Sequence, residues 1–183
     1  MGNDLPNLIW VDCEMTGLDL NKDALVEIAV LVTDAQLNIL GEGVDLVIKT
    51  SPEKLAAMDE FVRNMHTESG LINEIPNGVS LEEADAAIIT YLSKYAPGEG
   101  KSPLAGNSVY VDRGFIARDL PQLNKYLHYR TIDVSSIKEL ARRWYPKVYF
   151  AAPAKDGNHR ALGDIRDSIE ELEYYRNKIF IQS

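Results

Sequence analysis

The sequence predicts an α/β fold with a mixed five-stranded sheet flanked by helices, and three observations carry that expectation. Leu8 to Val11 is an unbroken apolar run of strand-forming type, the signature of a strand buried on both faces. Leu25 to Thr33 and Val44 to Lys49 are two more β-rich runs at short separation, which favours an antiparallel meander. After them strand and helix signals alternate, and such alternation belongs to α/β architecture.

The 183 residues suffice for a full core and no shift in composition divides them, so residues 1–183 are expected to form a single domain. With 45% hydrophobic and 26% charged residues, and no apolar run near the length of a bilayer span, a globular chain outside the membrane is expected. The opening MGNDLP lacks the basic and apolar regions of a secretory signal, and Pro6 stands where a myristoylation motif needs Ser or Thr. A single cysteine, Cys13, permits no internal disulfide; this agrees with a reducing compartment, and a cytoplasmic location is the expectation. A thiolate beside Asp12 and Glu14 would be disfavoured by like charge, so Cys13 reads as a small buried hydrophobe. The net charge of −9, with no long basic run, argues against a grip on long nucleic acid. If the ligand is a nucleic acid, it should be short.

Local signals place the remaining elements. Asp19 to Asp23 begins like a calcium loop, but Ala24 replaces its glycine and Val30 its closing glutamate. Ala35 to Gly43 reads as the connection into the third strand. Ser51 to Met58 opens with a Ser-Pro-Glu helix start, and Glu60 to Leu71 is helical or irregular. Ser80 and Glu83 form a capping box ahead of the stripe Ala84, Ala87, Ile88, Tyr91 and Leu92, and Pro97 ends that helix. The following GKS is no phosphate loop, because Tyr95 stands where the first glycine is needed and the flanking elements are reversed. Leu104 to Asn107 is a short strand, Asp112 to Leu127 a helical region interrupted by Pro121, and Arg130 to Val134 the last strand. A helix from Ser135 or Ser136 reaches Tyr145, with Pro146 as a stop and Lys147 to Asn158 as a loop. The final helix spans about Arg160 to Lys178, burying Leu162, Ile165, Ile169 and Leu172 and exposing EELEYYR.

Chemistry concentrates where the first strand ends. Side chains alternate along a strand, so Asp12 and Glu14 project to one side and Cys13 to the other. Adjacent carboxylates in a poorly solvated place are costly through desolvation and repulsion unless a cation lies between them. The alternative is a solvated strand end with two surface acids. Asp112 follows the fourth strand, and His159 with Asp164 brackets the start of the last helix. Positions five apart lie about 140° apart around a helix, so His159 belongs to the preceding loop, where an imidazole of pKa about 6.5 is suited to take a proton from water. Each of these alone has a plainer reading: Asp112 as a turn or cap residue, His159 as an exposed loop residue, Asp164 as an acid favoured by the helix dipole. Asp167 shares the Asp164 face and is read as a solvated or salt-bridged acid.

Taken together, DCE at 12–14, Asp112 within NSVYVDR and HRALGD at 159–164 resemble the three blocks of DEDDh-type exonucleases. More narrowly, LIWVDCEMTGL, LVTDAQLNIL, HYRTIDVSSIKELARRW and DIRDSIEELEYYR are similar to the oligoribonuclease family over almost the whole chain. That resemblance implies a ribonuclease H-like fold and a 3′ to 5′ exoribonuclease that cuts very short single-stranded RNA, down to dinucleotides, into mononucleotides. It implies Asp12, Glu14, Asp112 and Asp164 as ligands of two Mg²⁺ or Mn²⁺ ions, to which hard oxygen donors are suited, with His159 as the general base. For the substrate it implies Leu18 wedged against a base, Phe61 stacked on one where the family commonly has Trp, and His66 at the sugar end. Ser108, Arg130 and Ser135 resemble groups that cap a 5′ phosphate, and Tyr129 an aromatic donated by the partner in a homodimer. An exposed strand edge is the plainer reading of Tyr129 and Arg130.

Overall fold

The computed structural model describes residues 5–153 and 160–181. Strands β1 (Leu8–Met15), β2 (Leu25–Thr33) and β3 (Ile39–Val47) form the expected antiparallel meander. Strands β4 (Leu104–Gly106) and β5 (Thr131–Asp133) add in parallel on the far side of β1, giving the order β3-β2-β1-β4-β5. The helices are α1 (Pro52–Ala56), α2 (Glu60–Glu68), α3 (Leu71–Glu74), α4 (Leu81–Tyr95), α5 (Tyr110–Asp119), α6 (Pro121–Tyr126), α7 (Val134–Trp144), α8 (Pro146–Phe150) and α9 (Ala161–Ile179).

Alternation along β1 divides the core in two. Ile9, Val11, Cys13 and Met15 pack with Ile88 and Leu92 of α4 and with Phe115 and Ile116 of α5. Trp10 faces the other way, with Ala29 and Leu31 of β2, Val134 of α7 and Ile165 and Ile169 of α9. Asp12 and Glu14 continue the Trp10 side, so the strand's own periodicity aims both acids towards α9. Both faces of β1 and β2 are covered, which explains why neither strand shows a polar alternation.

Three elements differ from expectation. Strand β3 begins at Ile39, inside the segment expected to be a connection. The Asp34 carboxylate accepts from the N–H groups of Gln36 (2.8 Å) and Asn38 (2.9 Å) and closes the turn early. The strand's first half, ILGEG, is a largely exposed edge that pairing with β2 stabilises without an apolar pattern. Pro146 starts α8 instead of ending structure, because a missing N–H is harmless in a helix's first turn. On α9 the EELEYYR stretch is not an exposed face: Glu171, Leu172 and Tyr175 are buried, since α7 and α8 pack against α9 in addition to the sheet.

A buried acid ties two of these elements together. Asp85 of α4 accepts from the N–H groups of Gln122 and Leu123 at 2.9 Å each, capping α6 from outside that helix. Removing the acceptor strands two first-turn donors, so Asp85→Ala should cost about 2 to 4 kcal/mol in urea denaturation. A loss below about 0.5 kcal/mol would contradict this role.

Candidate active site

Strand β4 pairs with β1 only at Ile9 and Trp10, so β1 runs on past its neighbour and Asp12, Cys13 and Glu14 meet an open strand edge. Asp164 stands in the first turn of α9, where the positive end of the helix dipole favours an acid. One ligand oxygen from each of Asp12, Glu14 and Asp164 lies within 4.8 Å of the others, close enough for a shared cation. Among the described residues Asp167 does not join that group.

Asp112 approaches from the opposite side of the strand. It lies in the first turn of α5, buried, and its carboxyl accepts from the backbone N–H and the thiol of Cys13. The expectation that Cys13 is a buried hydrophobe holds, since it packs in the α4/α5 core. Its thiol nevertheless touches a proposed metal ligand, a contact that spacing in the sequence does not reveal. The geometry thus draws together Asp12, Glu14 and Asp164, with Asp112 alongside.

Charged residues that sequence reasoning missed complete the surroundings. Glu27 is the cross-strand partner of Glu14 and is fully buried. Its carboxylate accepts from Arg160 Nε (2.8 Å) and the Ala161 N–H (3.1 Å), and Arg160 also reaches Glu74 at 2.9 Å. The antiparallel register of β1 and β2 was the signal that would have exposed Glu27. His66 is also fully buried; its Nε2 lies 2.8 Å from the Met15 carbonyl and its Nδ1 3.9 Å from Glu14 Oε2. The ring thus backs Glu14 from within the fold.

His159 lies outside the described residues. Leu18, Phe61 and Tyr129 are 73%, 77% and 77% exposed, which leaves three large apolar side chains in solvent. The loop carrying Leu18 is held by Asp23, which accepts from Thr16 Oγ1 (3.2 Å) and the Asp19 N–H (2.8 Å). A Cβ at Gly17 would collide with the Asp23 carboxylate and push it off these bonds. Arg118 donates to the carbonyls of Leu20 and Asp23 and fixes the same loop from α5. Ser108 and Ser135 meet with their hydroxyls 3.2 Å apart, while Arg130 stacks over the Tyr129 ring at 5.4 Å.

A sequence profile described as Exonuclease matches residues 9–172. Oligoribonuclease of Streptomyces griseus is 58% identical over 174 residues, spanning 95% of this chain and 87% of its own length. Oligoribonuclease of Cutibacterium acnes is 56% identical over 176 residues, spanning 96% of this chain and 87% of its own. The chain belongs to the oligoribonuclease branch of the exonuclease family. Among solved structures, E. coli exonuclease I in complex with an oligonucleotide superposes with a TM-score of 0.71 at 15% identity, over 96% of this chain and 42% of that one. This likeness carries the fold, which is ribonuclease H-like as expected.

In this oligoribonuclease-family chain the acids are held far from their ordinary ionisation. Burial pushes Asp12 well up, and Asp112, Glu14 and Asp164 add repulsion. Burial, then Glu27, raises Glu14 to about 8, with Arg160 opposing. Asp112 is pushed up to about 7, chiefly by burial, against the Cys13 hydrogen bonds that favour its charged form. Family and cluster together point to dependence on divalent metal, whose charge removes this repulsion. Among the described residues, no helix is long and apolar enough to cross a membrane.

Without metal, the folded chain binds protons that the unfolded chain, with carboxyl pKa values of about 4, releases. Stability of the metal-free protein should therefore fall as pH rises from about 4 to about 8, the folded pKa of Glu14. Thermal denaturation should show a larger stabilisation by Mg²⁺ or Mn²⁺ at pH 8 than at pH 5.5. Equal stabilisation at both values would contradict a site built on protonated acids.

Proposed function

We propose that this chain is a single-domain, homodimeric, cytoplasmic exoribonuclease that degrades very short single-stranded RNA, dinucleotides included, with two Mg²⁺ or Mn²⁺ ions. Its membership of the exonuclease family makes the reaction hydrolysis of phosphodiester bonds from the 3′ end. The observation that carries the reading is the convergence of Asp12, Glu14 and Asp164 within 4.8 Å in a chain of that family.

Asp12, Glu14, Asp112 and Asp164 would hold the ions, as oxygen donors suited to hard cations. Bound there, the ions would supply the positive charge that a scissile phosphate, an attacking water and a leaving 3′ oxygen call for. His159 accepts the proton that the water loses on attack, and the bond from phosphorus to the 3′ oxygen breaks. Leu18 and Phe61 pack against the bases; stacking is worth about 1 to 3 kcal/mol per base, a large share of what a two-base ligand gains. His66 is fully buried and backs Glu14 from inside the fold, so it offers the sugar no exposed surface. Ser108, Ser135 and Arg130 receive the 5′ phosphate, and Tyr129 closes the partner subunit's site. The net charge of −9 supports a short ligand, because it leaves little basic surface for a long backbone.

An apolar groove supports the dimer. It is lined by Ile137, Leu140, Trp144 and Tyr145 of the α7 region and by Ile179 and Phe180 at the end of α9. Trp144 is 66% exposed there, which in one copy leaves a large apolar surface in water.

The test is 5′-labelled RNA of two to about twenty nucleotides offered with Mn²⁺ or with EDTA. Rapid loss of the shortest oligomers and silence under chelation are expected; activity surviving EDTA, or a preference for long RNA, would overturn the reading. His159→Ala should lower kcat by roughly 10² to 10⁴. Asp164→Asn should abolish turnover where Asp167→Asn does not, and equal losses would remove Asp164 from the ligand set.

A further inference from the structure

A run of hydrogen bonds joins Ser108 and Ser135 to the helix that carries Asp164. Asp133 Oδ1 accepts from the N–H of Ser108 (3.0 Å) and from the N–H of Ser135 (2.9 Å), pinning the end of β4 to the start of α7. Ser108 is held at φ 49, a left-handed conformation that costs a residue with a Cβ about 1 kcal/mol or more. Such strain persists only where surrounding contacts over-determine it, and the Asp133 bridge is one of them. Ser135 Oγ donates to Asn107 Oδ1 (3.1 Å). Asn107 Nδ2 in turn donates to Ser168 Oγ (2.8 Å) and Glu171 Oε2 (3.3 Å) on α9. Ser168 Oγ closes the run on the backbone carbonyl of Asp164 at 2.8 Å.

We infer that Asn107 and Asp133 are positioning residues that fix the span between the 5′-phosphate groups and the metal-binding acids, and thereby the preference for the shortest oligomers. This rests on the reading of Ser108 and Ser135 given above. A dinucleotide carries its 5′ phosphate one nucleotide from the bond to be cut, so it gains from both ends only if the two subsites are rigidly spaced. A longer oligomer carries its 5′ phosphate farther from the bond to be cut, so it cannot draw on that spacing. Asparagine suits the position because one side chain both accepts from Ser135 and donates twice to α9. An acid there would face Glu171 with an acceptor.

The test compares kcat/KM for a 5′-phosphorylated dinucleotide, its 5′-hydroxyl form and a five-nucleotide RNA. Asn107→Ala should lower the value for the phosphorylated dinucleotide about tenfold, mainly through KM, the loss of roughly one hydrogen bond's worth of fit. The loss on the five-nucleotide RNA should be about threefold or less, so the length preference flattens. Asp133→Ala should behave likewise, whereas Asp133→Asn keeps an oxygen acceptor and should stay near wild type. If Asn107→Ala does not fold, the Asp133 pair carries the same comparison. Equal losses at both lengths, or none on the dinucleotide, would overturn the inference. The double variant Ser108→Ala/Ser135→Ala separates the two ideas. If it leaves the preference for a 5′ phosphate intact, the phosphate reading fails and the inference with it. If it abolishes that preference while Asn107→Ala leaves the length ratio unchanged, only the positioning role fails.

Discussion

Carboxyls crowded at the end of a buried strand set the constraint to which the rest of this fold responds. Two charges 4 Å apart repel by about 4 kcal/mol even at an effective dielectric of 20. A hydrogen bond returns only about 1 kcal/mol net, so the donors that Cys13 offers Asp112 cannot offset repulsion among Asp12, Glu14 and Asp164. Only protons or a cation are large enough, which is why a divalent cation suits this cluster.

The scaffold serves that arrangement from both sides. Alternation on β1 aims Asp12 and Glu14 at α9, and the first turn of α9 returns Asp164 to meet them. Arg160, adjacent to His159 in sequence, is anchored by the fully buried Glu27 at 2.8 Å and by Glu74. Arg160 offsets part of the charge that Glu27 brings beside Glu14, and the pair fixes the chain where α9 begins. Removing one partner of such a pair costs about 3 to 5 kcal/mol, because the other charge stays buried. The start of the helix that carries Asp164 therefore depends on a single arginine.

Elsewhere on the surface the balance differs. Leu18, Phe61 and Tyr129 stand in solvent and contribute little to the core. The loop beneath Leu18 is kept in shape by Asp23 and Arg118, and Ser108 and Ser135 by Asp133 and Asn107.

The acidic blocks, the buried strand that carries the first of them and the order of the elements were determined by the sequence itself. Each rests on local pattern: unbroken apolar runs, the Ser80–Glu83 capping box, and spacing within a strand or helix. The first half of strand β3 escaped because an exposed edge is stabilised by its neighbour's hydrogen bonds and needs no apolar pattern. Pairing across strands and between distant helices was decided only in three dimensions. Glu27 faces Glu14 through the β-sheet register, and Asp164, not Asp167, meets Asp12 because of how α9 lies on the sheet. Asn107 and Asp133 become connectors only when residues 25 and 61 positions away close on them. Local sequence dictates which way a side chain points, but which partner it meets depends on packing between elements that sequence separation conceals.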